Sequence, residues 1–265
     1  MAKSIVRHLE RSGTRRVVIV SPHLDDAVFS TSGLLLSAAA PHCEVMTVFT
    51  EGSTEADPAW AQAGGFADTV AEHDARREED RLALARLGAG CVHLGFRPGS
   101  FTADDAARVV EQIAPPKTAL DPTRGHVLCL LPAGAGLPAG RQRLLGLYQR
   151  LMRCPRGVPA HPEHLEVRDR LLPHLRRRGL QVGFYSEFPY RWRDWRWSVR
   201  ARLGKLCGRH VWRYGERPEP AAKLAAVTLY RSQLALVFGT TREEQIRRID
   251  REEEYFALPA RESEA

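Results

Sequence analysis

Cysteine is scarce in this chain and unpaired. There are five in 265 residues (Cys43, Cys91, Cys129, Cys154, Cys207), with no CxxC among them. An odd, scattered set argues against a disulfide scaffold and a thiolate zinc site, and it fits a reducing compartment. No apolar run approaches the roughly 20 residues that a membrane-crossing helix needs. The opening "MAKSIVRHLERSGTRR" has no apolar core of signal-peptide length, so the expected location is the cytoplasm and no membrane partner is expected. No GxGxxG follows the first apolar run, which removes the usual dinucleotide fingerprint. Internal repeats and low-complexity tracts are also absent.

What is present suits a globular enzyme. Apolar residues make up 43 % and charged residues 27 %, enough to bury a core without staples. The net charge is +7. Most of the excess is arginine spread along the chain, which reads as a compositional bias, so nucleic acid is not an expected partner.

The hydrophobic pattern alternates between strand and helix. "RRVVIV" reads as a buried strand, "DDAVFSTSGLLLSAAA" as a helix opened by a capping aspartate, and "CEVMTVFTEGS" as a second strand. The helix "AEHDARREEDRLALARLGAG" precedes strand "CVHLGF", and the helix "ADDAARVVEQI" precedes strand "HVLCLLP". "HPEHLEVRDRLLPHLRRRG" is predicted as a helix with Pro162 in its first turn and Gly179 at its end, followed by a fifth strand, "QVGFYSEFPY". This order predicts an α/β fold: a Rossmann-like, doubly wound, mainly parallel sheet with helices on both faces. The expected order of its first five strands is 3-2-1-4-5. One domain spans 1–265, with insertions at about 133–160 and 191–217. The second insertion concentrates four of the five tryptophans among arginines, as a packed surface layer, a substrate lid, or an RNA or membrane contact. The C-terminal stretches "AAKLAAVTLYRSQLALVF" and "TREEQIRRIDREEEYF" are predicted helical, the latter with an exposed charged face.

Ligands in such sheets bind at the carboxyl ends of strands, near the point where strand order reverses. "SPHLDDAVFS" places His23, Asp25 and Asp26 there. Adjacent carboxylates repel unless a proton, a cation or a metal compensates them. "HPEH", with His161 and His164 on one side of a helix start, follows the fourth strand and faces the first motif across the predicted crevice. Two or three imidazoles and two carboxylates suit a catalytic zinc with an open position for water. One aspartate ligates while its neighbour takes the proton of the water.

These motifs resemble those of the PIG-L/LmbE family of zinc-dependent N-deacetylases, [A/P]-H-P-D-D-E and H-x-x-H. "RREEDRLALARLG" resembles the family's Arg-x-x-Glu-x-x-x-Ala-x-x-x-Leu-Gly helix, with Arg76, Glu79, Ala83, Leu87 and Gly88 in place. "CVHLGFR" resembles its Leu-Gly strand. "KLAAVTLYRSQ", with Lys223, Tyr230, Ser232 and Gln233, resembles its C-terminal helix. The resemblance implies His23, Asp26 and His164 as ligands of Zn2+ or another divalent metal. It implies Asp25 as general base, and His161 as the group that stabilises the oxyanion or protonates the leaving amine. The implied reaction is hydrolysis of an N-acetyl or other N-acyl group from an amino sugar or glycoconjugate, a small-molecule glycoside such as a secondary-metabolite intermediate. Leu24 and Ala27 replace the motif's proline and glutamate, and Glu163 replaces an aspartate and is expected to point outward.

Arg76, Glu187 and Tyr190 are expected to contact substrate, the last two from the loop after the fifth strand. His73, His93, His126, His174 and His210 are expected to pack or to lie on the surface. Two other functions fit less of the pattern. One is a zinc amidase acting on a thiol conjugate. The other is a non-catalytic binding protein that uses the Trp/Arg block.

Overall fold

The computed structural model describes residues 3–38, 40, 42–114, 126–136, 160–190 and 196–257. The described strands form one eight-stranded sheet: β1 (Lys3–Ser4), β2 (Arg16–His23), β3 (His42–Phe49), β4 (Gly90–Phe96), β5 (Val127–Pro132), β6 (Gln181–Tyr185), β7 (Trp212–Glu216) and β8 (Glu253–Ala257). Their spatial order is β1-β7-β8-β6-β5-β2-β3-β4. The five strands read from the sequence therefore lie in the expected 3-2-1-4-5 order, all parallel. β8 pairs antiparallel with β6 and β7. β2 and β5 are adjacent at the reversal of strand order, so both predicted motifs leave neighbouring strands at one edge.

The described helices are α1 (Ile5–Arg11), α2 (Asp26–Leu35), α3 (Ala59–Ala63), α4 (Thr69–Arg86), α5 (Ala103–Ile113), α6 (Pro162–Arg177), α7 (Arg196–Cys207), α8 (Pro220–Val227), α9 (Arg231–Phe238) and α10 (Arg242–Ile249). They divide the core in two. On one face, Ile19, Val45 and Leu130 of the sheet pack with residues of α1, α2, α4 and α8. On the other, Val18, Val20 and Leu131 pack with α5, α6 and α7. A strand covered on both faces is apolar throughout, which explains why "VVIV" in β2 shows no alternation. α4 is entered through an Asp68 cap on the Ala71 amide, and α5 through a Thr102–Asp105 capping box.

Three expectations are corrected. "TREEQIRRIDREEEYF" is helical only to Ile249, and Glu253–Ala257 is the inserted antiparallel strand β8. Its glutamates read as solvated, yet each is buried on a cation. Glu253 Oε1 accepts from Lys223 Nζ at 2.6 Å, and Glu254 Oε1 accepts from Arg213 Nε at 2.8 Å. "KLAAVTLYRSQLALVF" breaks into α8 and α9 around Thr228–Tyr230. The break turns Tyr230, Ser232 and Gln233 onto α4, where they bond Asp80, Glu79 and Glu72. The Trp/Arg block is not wholly an insertion, since it supplies α7 and β7. Trp212 in it is 43 % exposed, with Lys3 Nζ 4.9 Å above its ring. Trp192, Trp195 and residues 137–159 of the other insertion lie outside the described residues.

Lys223 fastens α8 to α2 and β8. Its ammonium donates to Glu253 and to the Phe29 carbonyl at 2.8 Å, while Glu253 Oε2 accepts from the Gly33 amide and the Tyr255 hydroxyl. Lys223→Ala leaves a buried carboxylate without its cation, at a cost of about 3–5 kcal/mol. Thermal unfolding of this variant is expected to fall by about 10 °C; an unchanged midpoint contradicts that role.

Candidate active site

The first motif turns because its own polar groups hold it. Ser21 Oγ donates to the His23 carbonyl at 2.7 Å and accepts from the Ala27 amide at 3.1 Å. Asp26 Oδ2 accepts from the His23 amide at 3.0 Å. Leu24 and Ala27, the two departures from the motif, are both buried in the core. Asp25 stands at the N-cap of α2 but does not cap it, because its carboxylate is taken by Arg76 Nη2 of α4 at 3.1 Å.

The second motif arrives on α6. Pro162 occupies the first helical turn and His161 the N-cap, which carries His164 one turn inward to 1 % exposure. Its Nε2 lies 3.1 Å from Asp26 Oδ2 and 3.3 Å from His23 Nδ1. His23 Nδ1 is itself 3.1 Å from Asp26 Oδ2. Two nitrogens and an oxygen thus form a triangle with edges of 3.1–3.3 Å. Tetrahedral zinc with bonds of about 2.0–2.1 Å separates its ligands by about 3.3 Å, so the donor set fits a divalent cation. The three histidines His23, His161 and His164 also bring donor atoms within 4.8 Å. Asp26 lies closer to two of them than that limit and is the better third donor. The Nδ1 of His161 is buried and has no hydrogen-bond partner among the described residues, with Glu163 Oε2 at 3.7 Å, and Nε of Arg76 likewise has no hydrogen-bond partner.

Burial and charge set the protonation of the site. Burial raises the Asp25 carboxyl to about 6, although the Arg76 guanidinium pulls it down. Burial also pushes Asp26 up, but the His164 and His23 imidazoles overcome it and hold Asp26 well below the usual carboxylate range. Burial opposes the charged form of His164, yet Asp26 and Glu187 raise it to about 10. Burial, with His23 and His164 beside it, lowers His161 to about 4, leaving a neutral imidazole at neutral pH.

Glu187 was expected to touch substrate, and the structure corrects this. The residue is fully buried, its oxygens accepting from the Gly134 and Ala135 amides at 2.8 and 3.0 Å. Oε1 also lies 3.2 Å from His164 Nδ1. A hydrogen on Nδ1 shared with this carboxylate means that a cation displacing the Nε2 proton would meet the Nε2 lone pair facing Asp26 and His23, as a metal-ligating histidine requires. Glu163 is corrected too: Oε2 points inward, 2.5 Å from His23 Nε2. Arg76 and Tyr190 line the cavity, Arg76 with ion pairs to Asp25 and Glu72, and Tyr190 with its ring edge-on to His161 and His164.

The cavity has a volume of about 650 Å³ and includes His23, Asp25, Asp26 and His161 in its wall. Sequence reasoning missed Trp60 and Gln233 as wall residues, and placed His73 with the packing histidines although it also lines the cavity. Trp60 Nε1 donates to Gln233 Oε1 at 3.1 Å, and Gln233 Nε2 donates to Glu72 Oε1 at 3.2 Å. Arg76 joins Glu72 to Asp25. One polar chain therefore runs from the mouth of the cavity to the first motif. Trp60 sits on the short helix α3 in the connection after β3, at the productive edge of the sheet, and that position was the one signal available for it.

Glu187→Gln keeps the shape of the side chain but weakens its hold on His164. The expected result is divalent-cation binding weaker by about 10–100-fold, read by competition with a chromophoric chelator. Unchanged affinity contradicts an orienting role.

Residues 18–136 match the family model described as PIG-L: GlcNAc-PI de-N-acetylase. That span runs from within β2 to just past β5, includes the first motif and ends before HPEH. The chain is 32 % identical over 185 residues to the 2'-N-acetylparomamine deacetylase of Streptomyces fradiae, across 68 % of this chain and 60 % of that protein. It thus spans 60 % of the length of this curated relative. Among solved structures it resembles the zinc-inhibited form of teicoplanin deacetylase Orf2, with a TM-score of 0.63 and 18 % identity over 94 % of this chain and all of that one. It also resembles the A40926 pseudoaglycone deacetylase Dbv21, with a TM-score of 0.59 and 20 % identity over 93 % of this chain and 98 % of that one. At such identities these structures speak for the fold alone. The family model takes in the first motif, so over residues 18–136 the chain is similar to the PIG-L family, and it is similar over a longer span to the curated deacetylase.

Proposed function

We propose that this protein is a metal-dependent N-deacetylase that removes an acetyl group from an amino sugar or aminoglycoside-like glycoconjugate. The observation that carries the reading is the donor triangle of His23, Asp26 and His164 with Asp25 at the adjacent residue. Zn2+ held there would polarise the amide carbonyl and lower the pKa of a bound water toward about 7.

The chain's own groups do the rest. Asp25, with its carboxyl near 6, takes a proton from the attacking water and returns it to the departing amine. Arg76 holds Asp25 in place and favours its charged form. His161, neutral at this pH, is suited to donate an N–H hydrogen bond to the oxyanion of the tetrahedral intermediate.

The wall of the cavity supports an amine-bearing sugar as substrate. Five carboxylates line it (Asp25, Asp26, Asp57, Glu72, Glu163) against two guanidinium groups, Arg76 and Arg248, in a chain whose net charge is +7. With a divalent cation bound the balance of the wall is still slightly negative, which favours a cationic over an anionic ligand. The curated relative is named for an N-acetylated amino sugar of this kind. Trp60 is half exposed at the cavity with its N–H held by Gln233, so its ring faces are presented to the apolar C–H face of a sugar. Phe188, Leu236 and Val237 continue the apolar wall.

Two experiments test this. Asp25→Ala is expected to lower acetate release from N-acetylated amino sugars by about 10²–10⁴-fold while the protein still binds metal; wild-type turnover would refute the base assignment. Trp60→Ala removes an aromatic contact worth about 1.4 kcal/mol, or tenfold. The Michaelis constant for the best sugar substrate is expected to rise by about that factor. An unaltered Michaelis constant contradicts the stacking role.

A further inference from the structure

A second group of side chains able to ligate a metal lies outside the wall of the catalytic cavity, at the last of the described strands in the sheet, although the charge of Asp80 is felt at Asp25. Cys91 and His93 are two residues apart on β4, the edge strand, and so share one face of it. Asp80 comes down on that face from α4 and is 1 % exposed. His93 Nε2 lies 2.9 Å from Asp80 Oδ2 and 3.3 Å from Cys91 Sγ. All three donor atoms fall within 4.8 Å of one another. The Tyr230 hydroxyl donates to Asp80 Oδ1 at 2.6 Å, which fixes the carboxylate and turns Oδ2 toward His93.

We propose that Asp80, Cys91 and His93 form a second cation site, selective for a thiophilic divalent ion such as Zn2+, with solvent as fourth ligand. Tetrahedral zinc, with Zn–S of about 2.3 Å and Zn–N of about 2.0–2.1 Å, sets its ligands about 3.3–3.6 Å apart, close to the spacing seen here. A thiolate with an imidazole and one carboxylate favours zinc, cobalt or copper over magnesium or calcium. Cys91 and His93 are only partly buried, so water reaches the open position. Burial, helped by Asp80, pushes the Cys91 thiol up to about 12. The metal-free cysteine therefore keeps its proton, and ion binding releases that proton to solvent. The bound ion would tie edge strand β4 to α4, and through Asp80 and Tyr230 to the α8–α9 junction. None of this depends on the proposed deacetylase reaction.

The test uses metal-free full-length protein titrated with Co2+. Cobalt bound by His23, Asp26 and His164 has no sulfur ligand, whereas cobalt at Cys91 gives a thiolate-to-metal charge-transfer band in the near ultraviolet. The expected result is a second bound equivalent that carries this band. Cys91→Ser should lose the band and that equivalent while keeping the first, and His164→Ala should do the reverse. The unsubstituted protein supplies an independent measurement, since alkylation of Cys91, located by peptide mass, should be blocked by the second equivalent of Zn2+ and not by the first. A single equivalent without the band, a band that survives Cys91→Ser, or alkylation indifferent to zinc would each overturn the proposal. Those results would leave Asp80 and His93 as a plain hydrogen-bonded pair beside a thiol.

Discussion

Two carboxylates on consecutive residues, Asp25 and Asp26, are both less than a tenth exposed at the end of the central strand. In a medium of low polarity their charges repel strongly and each loses its hydration. The surrounding structure answers this constraint by separating them. Asp26 is turned toward two imidazoles, and Asp25 toward one guanidinium. The separation gives the two groups different protonation behaviour, with Asp26 fixed as a carboxylate and Asp25 poised near 6. A pair of acids pushed apart in this way is a recurrent sign of divided labour in an active site.

The compensation then spreads outward in layers. His164 is held by Glu187, and Glu187 by the amides of the loop after β5. Arg76 is held by Glu72, Glu72 by Gln233, and Gln233 by the indole of Trp60. The first series places a donor toward the cation site. The second links a candidate sugar-facing surface to the group proposed to move the proton. The α8–α9 break adjoins the same arrangement, since Tyr230 and Gln233 beside it bond Asp80 and Glu72 of α4. Rigidity of this kind matters for catalysis, since small misplacements of a reacting group cost large factors in rate.

The sheet was legible because its strands are short, β-branched and punctuated by strong helices, and because right-handed crossovers leave few orders open. The crossing of "SPHLDDAVFS" with "HPEH" followed from that order. What escaped was charge that solvation rules misassign. Glu253 and Glu254 looked like the exposed face of a helix, and they are buried strand residues because Lys223 and Arg213 reach them from elements distant in sequence. Glu163 was expected to face solvent and faces His23. Glu187 lay at the expected sheet edge, but its neighbours, unlike its position, decide its role, and those come from two other segments. The group at Asp80, Cys91 and His93 was invisible for the same reason. A lone cysteine carries no spacing signal, and the partners are set by how α4 packs on β4.

The measurement closest to the central claim is the metal content of the purified protein and of its His164→Ala and Cys91→Ser variants, after exhaustive dialysis and reloading with zinc. The account predicts that the wild type holds zinc, that His164→Ala loses the ion bound by His23 and Asp26, and that this loss also removes acetate release, whereas Cys91→Ser retains both. A wild type that takes up no zinc, or a His164→Ala variant that keeps its metal and its turnover, would contradict the account at its base.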